Sequence, residues 1–195
     1  MWSRTWTARL SKCTSGSRSN RGQHVFGPAG MAHSDFYRLD RVHQNVAEGA
    51  DPLRGEEGRV VGWKKNIYAF PPVGWPDSGA HVTAGDLDRF LRAVQAGELL
   101  SPGLTEAFLK PHVHYRDRKG WTMKYGYVLW FYVDPGGEVV CYQKEGINTG
   151  ASGLIRHFPA RNLSVILLAN MEGAVWQPVW KLHDMVVTGR FDDAF

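Results

Sequence analysis

The sequence predicts a mixed α/β (α+β) domain in which an antiparallel sheet is covered by helices. Three observations carry this reading. Helical spacing occupies the middle of the chain, in "TAGDLDRFLRAVQAGELL". Strand-like runs separated by turn residues fill the second half, and a helix-spaced apolar segment, "AVWQPVWKLHDMVVTG", closes it.

The globular part is expected to begin at "HVFGPAGM", an apolar pair followed by a Gly-Pro turn. Residues 46–79 are rich in Gly, Pro and charge and predict long irregular structure with short strands. Thr83, with Asp86 three positions on, has the form of a capping box. Leu87, Phe90, Leu91 and Val94 then fall at i, i+3, i+4 and i+7, one apolar helical face that Gly97 stops. Ser101-Pro102 opens a second helix to about Leu109, and Pro111 ends it. "YGYVLWFYV" predicts one strand, "DPGG" a turn and "EVVCYQK" its antiparallel partner. Lys144 ends that partner, and a glycine-punctuated bend follows. "SGLIRHF" is a third strand; "LSVILLAN", apolar on both faces, is expected to be central. In the last helix Pro178 must lie in the first turn, and Gly189 closes it.

Composition narrows the class. At 43% apolar and 22% charged residues the 195-residue chain is ordinary for a globular domain with one sizeable core. No apolar run approaches the ~20 residues of a membrane span. The net charge of +4 comes from the first 34 residues, which hold Arg4, Arg9, Lys12, Arg18 and Arg21 and no acid. The body is nearly neutral, which argues against a nucleic-acid-binding surface. Residues 1–23 lack a secretory apolar segment and predict a disordered basic leader, with residues 24–195 forming the domain. A cytoplasmic site is expected on that ground, with an organelle leader as the alternative. Cys13 and Cys141 form neither a disulfide framework nor a zinc spacing, and Cys141 reads as a small buried hydrophobe.

The chemistry-bearing stretch is "KEGINTG". Lys144 supplies positive charge at a strand end, and Gly146 and Gly150 allow close backbone approach, so an exposed N–H can donate to an anion or oxyanion. On its own, a strand-end lysine also reads as a solvated surface charge. His112-x-His114 reads as a polar strand edge, because no third metal ligand has helpful spacing. "WKKN" (63–66) reads as a solvated turn, Asn170 as a turn or cap, and Asp77 with His81 as a pair lacking a nucleophile.

Taken together, "VFGPAGM", "PPVGWPDSGAHVTAGDLDRFL", "GELLSPGLTEAFLKP", "YGY" and "KEGINTGASGLIRHFPARNLSVILLAN" resemble, in order, the serine β-lactamase and penicillin-binding-protein superfamily. The likeness is to its class C-like esterase and D-peptidase branch, over about His24 to Gly189. It implies a β-lactamase/transpeptidase-like sheet and hydrolysis of an ester or amide through an acyl-serine, without metal or other cofactor. Lys144-Glu145-Gly146 matches the third motif of that family. By resemblance, Lys144 would tune the electrostatics at the acyl-serine, the Ile147 N–H would be an oxyanion donor, and Glu145 and Gly146 would meet substrate. Glu145 stands where Thr or Ser is frequent and mildly favours a neutral substrate. Ser78 replaces a usual glycine.

The family's first two motifs are absent. None of the eight lysines has Ser or Thr three residues before it, so S-x-x-K is missing. No tyrosine starts Y-x-N or Y-x-S. Both motifs would precede the landmark at Phe26. The chain is therefore expected to be a C-terminal portion of the fold, incomplete at its N-terminal side and inactive alone, with a missing N-terminal half or an oligomer covering the sheet. An uncovered central sheet exposes several hundred Å2, ~10 kcal/mol against a typical net stability of ~5–15 kcal/mol. The isolated chain is then expected to be marginal, dye-binding or oligomeric. The alternative is a non-catalytic binding or regulatory protein that retains the cleft wall.

Overall fold

The computed structural model describes residues 22–190 apart from 39, 70, 71 and 73–78. Residues 1–21 of the expected leader, Cys13 among them, and Asp77 and Ser78 therefore lie outside the described residues, while the leader's last two, Gly22 and Gln23, open a short π-helix (Gly22–Phe26). The chain divides into two compact units, one from residues up to 46 with 67–101, the other from 47–66 with 102 onward.

The first unit is built on helix α1 (Ala84–Gln95). Thr83 caps it: the Asp86 N–H donates to Thr83 Oγ1 at 3.1 Å. The reciprocal half of a capping box is not made. The Asp86 carboxylate is fully buried and instead accepts from the His33 N–H (2.8 Å) and the Ser34 hydroxyl (2.7 Å), tying an upstream loop to the helix. Ala29, Met31 and Ala93 form this unit's small core, with Phe26, Val82, Phe90 and Leu99 packed around it. His81 pairs with Asp35 in an isolated bridge, and burial lowers its pKa.

The second unit holds a hairpin, β1 (Ala50–Arg54) and β2 (Val60–Lys65), a short helix α2 (Pro102–Phe108), and a six-stranded antiparallel meander. Its strands run in sequence order: β3 (Val113–Arg118), β4 (Trp121–Tyr125), β5 (Trp130–Val133), β6 (Val139–Asn148), β7 (Ala151–Phe158) and β8 (Leu163–Ala169). The C-terminal helix α3 (Trp176–Thr188) covers one face. Pro178 lies in its first turn, and Gly189 closes it at φ 71°, its N–H donating to the Met185 carbonyl. Cys141, Phe158, Tyr132, Met123 and Val186 form one buried cluster, and Leu154, Val175 and Val179 another.

Three sequence expectations need correction. "YGYVLWFYV" is not one strand: Tyr125 ends β4, the Gly126 N–H donates to the Leu129 carbonyl to close a turn, and Trp130 starts β5. "LSVILLAN" is not central, because β8 pairs only with β7 at the sheet edge. And β6 does not end at Lys144; it runs through the motif to Asn148, so the bend sits at Thr149-Gly150. The "DPGG" turn forms as expected, with Asp134 Oδ1 accepting from the Glu138 N–H at 2.9 Å.

Candidate active-site wall

Residues directly opposite one another in an antiparallel sheet share a face. Lys144 pairs with Ile155, which pairs with Ile166; Gly146 pairs with Gly153, which pairs with Leu168. One face thus carries a lysine beside an apolar row, with two glycines as a flat floor. A methyl group added at Gly146 would meet nothing within 4 Å, so the space over it is open. Lys144 is exposed and has no ion pair among the described residues.

The neighbouring edge is open as well. The β5 partner of β6 ends at Trp130 opposite Gln143, while β7 continues to Ala151 opposite Asn148. A two-residue hairpin turn closes on a pair that exchanges both hydrogen bonds. By alternation, the Ile147 and Glu145 N–H groups then point away from β7, toward the edge that β5 leaves free. Lys144 and the Ile147 N–H therefore flank the same open glycine.

The turn that ends this edge is braced by the β1–β2 hairpin. The Gly150 N–H donates to Asp51 Oδ2 at 2.6 Å, and the Glu172 N–H to Asp51 Oδ1 at 2.7 Å. Asn66 Nδ2 donates to the Thr149 carbonyl at 3.0 Å. Gly150 has φ 68° and its backbone touches Asn66, so a side chain there is excluded on both counts. Asn170 donates to the Glu48 carbonyl at 2.9 Å, a structural tie at the end of β8. Sequence reading missed Asp51 entirely and took Asn66 for part of a solvated turn; glycines at 49 and 150, which nearly touch, were the available signal.

Glu145 is not beside Lys144 in space. Its carboxylate lies on the α3 face, where Gln143 Nε2 donates to it at 3.1 Å. Gln143 Oε1 in turn accepts twice from the fully buried Arg156, whose guanidinium stacks 4.5 Å from the centre of the Trp180 ring. Burial lowers the Arg156 pKa. Cys141 is fully buried, and its thiol pKa is pushed up to about 12 by the same cause, so it is no nucleophile. The two histidines of the 112–114 pair turn to different partners, His112 to the Ala107 carbonyl and His114 to Asp117.

An antiparallel sheet backed by a C-terminal helix is a β-lactamase/transpeptidase-like fold. The family model described as Beta-lactamase matches residues 16–181, and the chain belongs to that family. Among solved structures, it is similar to the penicillin binding protein from Bacillus halodurans, at 29% identity and a TM-score of 0.75, over 86% of this chain and 48% of that one. The octameric penicillin-binding protein homologue from Pyrococcus abyssi matches at 21% identity and TM-score 0.66, over 89% and 38%. A class C beta-lactamase matches at 17% and 0.52, over 90% and 52%. The last two show the fold alone. The chain spans about half the length, or less, of the first structures it matches. No curated protein matches it. Among the described residues, no helix is long and apolar enough to cross a membrane.

Proposed function

We propose that these 195 residues form the anion-stabilising wall of a β-lactamase-related serine hydrolase and do not carry out acyl transfer by themselves. The observation that supports this most is the open strand edge in which Lys144 and the Ile147 N–H flank Gly146. In an acyl-serine reaction the tetrahedral intermediate carries a negative oxygen. A backbone donor fixed by a sheet stabilises it without reorganising, and a nearby ammonium adds charge. Gly146 gives the substrate backbone room. Glu145 contributes its main chain, since its carboxylate faces away; it gives no ground for preferring a neutral ester or amide over an anionic one. The nucleophile, and the lysine that would activate it, belong to S-x-x-K, which these residues lack.

Incubation of the chain with a fluorophosphonate and a chromogenic ester, followed by intact mass, tests this. No stoichiometric adduct and no turnover are expected. One labelled Ser or Thr would overturn the proposal and reveal a nucleophile inside the chain.

A further inference from the structure

The face opposite Lys144 carries an open groove of about 620 Å3 beside α3. Six strands span roughly 24 Å at the usual spacing, and one helix covers roughly 10 Å. α3 packs on β6 to β8 through Cys141, Leu154, Phe158 and Leu167, and its Trp180, His183 and Val186 reach Trp121, Met123 and Tyr132 of β4 and β5. The outer strip of that face, from β3 to the Trp176–Trp180 side of α3, is left open, about the width of one further helix. Its floor is aromatic: Trp121 and Trp130 are only partly buried, and Tyr115, 54% exposed, stands edge-on to Trp130. Trp180 of α3 forms the wall, stacked near Trp121.

The rim is cationic. Arg116, Arg118 and Lys119 line it, against Glu145 as the one acid lining it. Arg118 and Lys119 have no ion pair among the described residues, and Arg156 behind the wall is held by a neutral amide, with no carboxylate in salt-bridge range. The groove is open along its length, unlike the enclosed pockets that bury small molecules. The first 34 residues of the chain are basic and acid-free, so their charge does not suit it.

We infer that this groove is a docking surface for an acidic amphipathic helix supplied by another polypeptide segment, its apolar stripe lying on Trp121, Trp130 and Trp180 and its carboxylates meeting Arg116, Arg118 and Lys119. The inference is independent of the Lys144 reading, because the two sites lie on opposite faces of the sheet.

The test titrates the full chain with two synthetic 20-residue helical peptides, each with a leucine stripe, one flanked by glutamates and one by lysines. Tryptophan fluorescence gives affinity, and hydrogen exchange gives location. The glutamate peptide should bind at least tenfold tighter, lose affinity with salt, and protect Trp121–Tyr125 and Trp130–Val133. The double variant Arg118→Glu, Lys119→Glu should reverse the preference while its near-ultraviolet circular dichroism stays that of the wild type. Equal binding, no binding, or protection at residues 144–148 would overturn the inference. So would sedimentation in which the wild-type chain self-associates and the double variant is monomeric, which would make a second copy the occupant.

Discussion

Arg156 and Gln143 sit opposite each other on β7 and β6, and Arg156 donates to the single amide oxygen of Gln143 twice, from Nε at 2.9 Å and from Nη2 at 2.5 Å. A fully buried guanidinium is costly unless its donors are met. Replacing Gln143 by Leu leaves the charge without that partner and should cost about 2–4 kcal/mol. Arg156→Leu leaves only a buried amide oxygen and should cost about 1–3 kcal/mol. The double variant should lose clearly less than the sum, with a coupling of about 1–3 kcal/mol by urea unfolding. Additive losses would mean that the pair is not a unit.

Asp51 holds two backbone donors from separate turns, at Gly150 and Glu172. Asp51→Ala should cost about 1–3 kcal/mol and raise amide exchange selectively at residues 144–153. Unchanged exchange there would show that the β1–β2 hairpin does not brace the motif.

Val128 occupies the turn between β4 and β5 at φ 71°, a left-handed conformation that a β-branched residue resists. Val128→Gly should stabilise the chain by about 1 kcal/mol, read as a higher midpoint of thermal unfolding. A loss of stability would show that the exposed valine side chain packs usefully.

His183 is packed by Trp180, Tyr132 and Phe158, with Cys141 Sγ 3.9 Å from its Nδ1. Burial, then the Arg156 charge, lowers its pKa to about 4, with a smaller opposing pull from Asp184. Between that value and the ordinary 6.5 the unfolded chain binds the proton and the folded chain does not. Stability from this group therefore falls as pH drops through that window and is flat above it. His183→Phe should flatten the wild-type decline in melting temperature between pH 6.5 and 4; equal slopes would contradict the buried neutral imidazole.

The periodic and punctuated parts of the fold were legible in the sequence. The spacing of Leu87, Phe90, Leu91 and Val94, the Thr83 cap and Gly189 each act through local chemistry, and α1 and α3 follow them. The split of "YGYVLWFYV" was not legible, because its turn places Val128 where local rules want glycine or asparagine. The edge position of β8 was hidden for a related reason: an apolar strand reads as central whether sheet or something else covers it. At the candidate site, the motif pointed to Lys144, Glu145, Gly146 and Ile147 but not to which way they face. Only the pairing register separates Lys144 from Glu145 and brings the Ile147 N–H to the open edge. The Asp51 brace spans about a hundred positions of sequence and leaves no local trace.

The most direct measurement is the Ile147 amide resonance during titration of the isotope-labelled chain with a phosphonate monoester, a stable mimic of the tetrahedral oxyanion, to tens of millimolar. A saturable shift at Ile147 that Lys144→Ala abolishes is the predicted result. No shift at Ile147, or a shift that persists without the lysine, would contradict the assignment of this strand edge as the anion-stabilising wall.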